Sequence, residues 1–121
     1  MSQKVFLLEN DKWLGDQYQQ SLEAAKFNVV RTNDAYDAMD MIDNELPDVI
    51  VMSLLLSGAG AMGLLHELQS YVDTAKIPVI ICTTQTNVTL EDLEPYGVKR
   101  LLNSSTMKTG ELASVVRSVL A

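Results

Sequence analysis

The chain has 121 residues, 47% hydrophobic and 21% charged, which fits one globular domain and excludes a disordered or collagen-like chain. Sixteen Asp and Glu against nine Lys and Arg give a formal charge of −7, so nonspecific binding to nucleic-acid phosphates or anionic lipid gets no help from the chain as a whole. The single cysteine, Cys82, cannot close an intramolecular disulfide, and no apolar run reaches the roughly 18 residues of a membrane span, so a soluble protein of the reducing cytoplasm is expected.

Lys4 to Leu8 (KVFLL) reads as a first strand. From Trp13 to Lys26, Leu14, Tyr18, Leu22 and Ala25 recur at helical spacing, with Gln17, Gln19, Gln20 and Glu23 on the opposite side. Asn28 to Thr32 (NVVRT) is a short β-branched strand, and Asp34 to Glu45 places Ala35, Ala38, Met39 and Ile42 on one helical face before Pro47. Asp48 to Met52 (DVIVM) is almost continuously apolar, as in a central parallel strand covered on both faces. After a glycine-rich loop, Met62, Leu65, Leu68 and Val72 predict an amphipathic helix over 62–72, and Ile77 to Cys82 (IPVIIC) a second buried strand. Thr89 or Asn87 caps a short fourth helix that runs through Tyr96 and stops at Gly97. Lys99 to Leu102 is the last strand, and Glu111 to Leu120, with Leu112, Val115, Val116 and Val119, the closing helix. Five βα units in succession predict an α/β fold over residues 1–121: a five-stranded parallel sheet, flavodoxin-like, doubly wound (βα)5, in the order 2-1-3-4-5.

In such sheets ligands bind beyond the carboxyl ends of the strands, where the strand order reverses, here between strands one and three. That singles out Glu9, Asn10 and Asp11, then Ser53, Thr83 and Thr84, and residues 103–106. Around these positions the stretches VFLLEND, LPDVIVMSLLLSG, IPVIICTT and YGVKRLL give the chain its character. Together, at this spacing and over essentially the whole length, they resemble the receiver domain of bacterial two-component response regulators. The resemblance implies five working positions: two acids after strand one, a phosphoaccepting Asp after strand three, a Ser or Thr after strand four and a Lys after strand five. They fall on Glu9 and Asn10, Ser53, Thr83 and Ser104, of which only Glu9 and Thr83 keep the family's residue type.

The missing groups are the ones the implied chemistry needs. A serine hydroxyl at position 53 is a weak nucleophile without a nearby base. Asn10 and Ser53 remove two charges from an expected Mg²⁺ cage, and Ser104 removes the cation that would pair with phosphate. Converging carboxylates without metal repel by about 4 kcal/mol per pair at 4 Å and an effective dielectric near 20, so their loss also relieves strain. Strand five has Leu101 where the family carries an aromatic switch, and Ser104-Ser105 where it carries Lys-Pro. The expectation is a degenerate receiver, or pseudo-receiver: not an enzyme, without cofactor, binding Mg²⁺ weakly or not at all, and with Glu9 and Asp11 as the residual metal candidates. Its role is then a phosphorylation-independent protein-interaction module in phosphorelay-type signalling, either a single-domain regulator or part of a longer one. The alternatives are a phosphoacceptor using a non-standard carboxylate, Asp11 or Glu9, and a small-ligand or nucleotide sensor in the same crevice.

Other features read more simply. Gly58 to Gly63 match G-x-G-x-x-G, but they follow the third strand after a four-residue gap and no acid ends the next strand, so a loop beside the pocket is expected. Asp34, Asp37, Asp40 and Asp43 step by three and drift about 60° per step around a helix, which makes a solvated face and not a calcium loop. Cys82 reads as a buried strand residue, His66 as an exposed helix residue, and Trp13 as either helix-start packing or pocket rim. From Gly97 onward, Lys99, Arg100, Lys108 and Arg117 against Glu111 alone give +3, leaving −10 on the first 96 residues. The resemblance places the usual partner or dimer face on the fourth helix, fifth strand and last helix, so Tyr96, Lys99, Arg100 and Leu101 are candidates for contact. The expected partner is a signalling kinase, regulator or output domain, or a second copy through that face, with no nucleic acid and no membrane.

Overall fold

The computed structural model describes residues 2–54 and 60–121. Five strands, β1 (Lys4–Leu8), β2 (Asn28–Thr32), β3 (Val49–Ser53), β4 (Val79–Thr83) and β5 (Val98–Asn103), form one parallel sheet in the predicted order β2-β1-β3-β4-β5. The helices are α1 (Lys12–Ala24), α2 (Ala35–Glu45), α3 (Ala61–Gln69), α4 (Val72–Ala75), α5 (Leu90–Leu93), which runs into a 3₁₀ turn over Glu94–Tyr96, and α6 (Glu111–Leu120). The sheet separates two apolar layers, which is why β3 and β4 read as unbroken apolar runs. Phe6, Leu8, Ile50, Met52, Val79 and Ile81 face α2, α3 and α5, while Val5, Leu7, Val51, Ile80 and Cys82 face Leu22 of α1 and Leu112 and Val116 of α6. Val5 pairs with both Val29 and Val49, and Ser53 with Cys82, so the carboxyl ends of β1, β3 and β4 finish side by side.

Local chemistry sets the element ends. The Asp11 carboxylate accepts from the Leu14 N–H at 3.0 Å and caps α1, and Asp34 caps α2 through the Tyr36 N–H at 2.8 Å. Thr89 and Asp92 close a capping box on α5. Gly97, at φ 84°, ends the 3₁₀ turn as the sequence predicts. Gly15 is buried under the Arg31 guanidinium, which reaches from β2 to Asp16 at 2.7 Å and Gln19 at 3.1 Å, so a Cβ at position 15 would require that side chain to shift.

One predicted helix is corrected. The single helix over 62–72 is two: α3 stops at Gln69 and α4 starts at Val72. Thr74 is the cause, for its buried hydroxyl donates to the Leu68 carbonyl at 2.6 Å and draws the chain inward at that point. Val72, assigned to the apolar face, is turned outward and 86% exposed, and Met62 is also exposed, while Ala61 and Leu64 take the inner positions beside Leu65 and Leu68. The strand placed at Ile77 starts at Val79 instead, because the Ile77 N–H bonds back to the Thr74 carbonyl and Pro78 has no N–H to give. The glycine-rich motif falls partly on residues 55–59, outside the described residues. Of the rest, Gly60 stands at the amino end of α3 and Gly63 borders open space.

Candidate functional site

The switch point between β1 and β3 opens into a cleft of about 280 Å³ lined by Glu9, Asn10, Asp11, Leu14, Ser53, Thr83, Thr84 and Ser104. All five positions singled out by the sequence are therefore brought together. Each sits at or just beyond a strand's carboxyl end: Glu9 after β1, Ser53 and Thr83 as the last residues of β3 and β4, and Ser104 after β5. The Ser104 N–H donates to the Thr83 carbonyl at 3.0 Å, which ties the last loop to β4. That loop is an Asx turn in which the Asn103 side-chain oxygen accepts from the Ser105 N–H at 2.9 Å and the Ser105 hydroxyl at 2.6 Å. Hydroxyls and an amide satisfy this corner, with no cation involved.

Two carboxylates line the cleft, and both are engaged with backbone. Glu9, 4% exposed, accepts from the Asp11 N–H at 3.1 Å, while Asp11 caps α1. Burial raises the Glu9 carboxyl above its ordinary 4.5, and the backbone bonds from Asp11 and Asn10 pull in the other direction. The Thr83 hydroxyl accepts from the Gln85 N–H at 3.1 Å. Among the described residues no cluster of three or more His, Cys, Asp or Glu converges to hold a metal ion.

The sequence reading missed Tyr18. Its side chain packs in the α1 layer with Cys82 and lines the groove next to the cleft, and its buried hydroxyl is close to Ser104. Burial raises its pKa, with Cys82 and Glu9 adding to the rise, and burial pushes the Cys82 thiol up to about 12, which makes Cys82 the inert strand residue the sequence predicts. Helical spacing marks Tyr18 as a core residue but says nothing of where its hydroxyl ends. Trp13, 68% exposed, does not line the cleft but an adjoining groove between α1 and residues 104–110, which meets the cleft at Leu14 and Ser104.

The four candidate contact residues have different surroundings. Tyr96 and Leu101 pack half-buried against the α2–α3 side of the core, with the Tyr96 ring edge-on to exposed His66 at 5.2 Å. Lys99 and Arg100 are exposed and open into a separate groove beside Ser118 and Val119 of α6. Asp37, Asp40 and Asp43 lie in solvent along α2, as expected.

A doubly wound parallel sheet with a polar cleft at its switch point defines a class of small signalling and nucleotide-binding folds. Within that class the chain belongs to the response regulator receiver domain family, whose model matches residues 5–103. A putative response regulator from Chloroflexus aurantiacus J-10-fl superposes with a TM-score of 0.89 at 20% identity, over 99% of this chain and 98% of its own. The chemotaxis protein CheY4 of Vibrio cholerae gives 0.88 at 16% identity, over 99% and 100%. The receiver domain of the sensor histidine kinase PA1611 from Pseudomonas aeruginosa PAO1, with a magnesium ion coordinated in its active-site cleft, gives 0.87 at 16% identity, over 99% and 98%. Receiver domains are in general non-enzymatic modules that work with kinases and output domains in two-component signalling. No helix among the described residues is long and apolar enough to cross a membrane.

Proposed function

We propose that this receiver domain is a pseudo-receiver: a phosphorylation-independent protein-interaction module of a two-component pathway, cytoplasmic and without catalytic activity of its own. The observation that carries the reading is Ser53, a hydroxyl at the end of β3 where the family's phosphoaccepting carboxylate would stand, in one cleft with Asn10 and Ser104. Serine needs a base to act as a nucleophile, and the cleft lining contains no histidine. The donor set fits Mg²⁺ poorly: an octahedral hard cation favours carboxylate oxygens, and the two lining the cleft are a buried Glu9 and a helix-capping Asp11. With Ser104 in place of a lysine, no cation lining the cleft balances a phosphoryl group. The cleft is thereby suited to neutral hydrogen bonding, and the domain to one resident conformation that a partner recognises.

Incubation with acetyl phosphate and Mg²⁺, followed by intact mass measurement, tests the reading. The expected result is the unmodified mass. A phosphoryl adduct lost on Asp11→Asn or Glu9→Gln would overturn it in favour of a receiver that uses a non-standard carboxylate.

A further inference from the structure

The end of the sheet opposite the cleft carries a second surface. Two depressions of about 400 and 320 Å³ lie at the amino ends of β4 and β5 and share Lys76 and Pro78. Leu46 stands on the rim of the first, and Lys99, Arg100 and Val119 line the second.

Its charge at Lys76, Lys99 and Arg100 is opposite in sign to that of the chain as a whole. In a chain with sixteen acids to nine bases, each cation has carboxylates to spare, and the ion pairs among the described residues use Lys4, Lys12 and Arg31. Lys76, Lys99 and Arg100, like Lys26, Lys108 and Arg117, are in no ion pair among the described residues, and the Arg100 guanidinium donates to the Lys99 carbonyl at 2.8 Å. Three cations thus line one groove of an acidic protein, a local charge that complements an anionic partner.

The apolar part is also unusual. Leu46 ends α2 in the left-handed region, at φ 42°, where glycine or asparagine is ordinary and a branched side chain costs about 1–2 kcal/mol. The leucine held there is 53% exposed and lines the depression with Pro47 and Pro78. Asp48 and Asp73 line the same depression as Leu46, so the face is apolar and mixed in charge at one end and purely cationic at the other.

We infer that this face docks an acidic, amphipathic segment of a partner protein, its apolar side chain seated against Leu46 and Pro78 and its carboxylates meeting Lys76, Lys99 and Arg100. A free phosphate anion would make no use of the apolar half, and the Asp48 and Asp73 carboxylates would repel a continuous phosphate backbone. The inference rests on the reading of the chain as a protein-binding module. It uses a surface remote from the cleft, so the phosphoryl-transfer test and the docking test fail independently.

Titration of the ¹⁵N-labelled chain with a short peptide of alternating leucine and glutamate, followed by amide chemical shifts, tests it. Saturable shifts are expected at Leu46, at residues 76–79 and at Lys99 and Arg100, with the cleft residues unmoved. Lys99→Glu with Arg100→Glu weakens binding by about tenfold or more, and Leu46→Asn, which suits the left-handed backbone, by about threefold or more. Lys26→Glu, on an exposed lysine elsewhere, leaves binding unchanged. The inference is overturned by an absence of saturation up to about 1 mM peptide, by charge reversals without effect, or by shifts centred elsewhere. It is equally overturned if sodium triphosphate or a single-stranded oligonucleotide binds this face in preference to the peptide. Sedimentation showing self-association through these same cations would make the occupant a second copy instead.

Discussion

Glu9 is the cleft residue whose environment leaves the most measurable trace. Burial raises its pKa in the folded state above the ordinary 4.5, so the folded protein holds its proton to higher pH than the unfolded chain does. Stability therefore falls as pH rises through that window, and the deficit is fully present above it. Glu9→Gln keeps an oxygen for the Asp11 N–H and removes the charge. The variant is expected to melt higher than the wild type at about pH 7, with the gap closing toward about pH 4, where both states of the wild type are protonated. A gap independent of pH, followed by circular dichroism, would place the effect elsewhere than in the carboxyl charge. Near it, the Tyr18 hydroxyl is the neutral counterpart: buried, and close to Ser104.

The split of α3 from α4 shows how a single hydroxyl redirects an element. Periodicity alone assigned Val72 to the core, because a branched aliphatic at helical spacing outweighs a threonine in any hydrophobic pattern. In the folded chain Thr74 is buried and Val72 is exposed, since the Thr74 hydroxyl satisfies the Leu68 carbonyl at the end of α3. Thr74→Val, nearly isosteric, is expected to cost about 1–3 kcal/mol by stranding that carbonyl, and Val72→Ser less than about 0.5 kcal/mol. Urea unfolding of the two variants measures both, and the reverse order would return Val72 to the core. Where pattern and capping agree, the elements were legible to the residue. β1, β2 and α6 begin and end where their apolar runs do, and the α2 face of Ala35, Ala38, Met39 and Ile42 is buried as read. The left-handed turn at Leu46 was not legible, because nothing in a leucine announces a positive φ.

For the whole molecule, the sheet order and the convergence of Glu9, Asn10, Ser53, Thr83 and Ser104 followed from the alternation of strands and helices, for a doubly wound sheet has one switch point and these residues follow its strands. What the residues do there was less legible: Asp11 counts as a carboxylate in a sequence, but in the fold it is a helix cap. The separation of Lys99 and Arg100 from Tyr96 and Leu101 likewise depends on which sheet face each side chain meets. With a cleft that fits Mg²⁺ poorly, the melting temperature is expected to shift by less than about 1 °C on addition of millimolar Mg²⁺, and a rise of more than about 3 °C would show a metal site at work.

The two apolar layers close on Leu8, Met52 and Cys82, each the last core residue of its strand, while Glu9, Ser53 and Thr83 come one position later. The chemistry of the cleft is thus written in end groups on strands whose packing is already complete. Exchanging such a group alters the cleft and leaves the apolar contacts of its strand in place. The packing that sets the shape and the groups that set the reactivity therefore lie on different residues of the same strands.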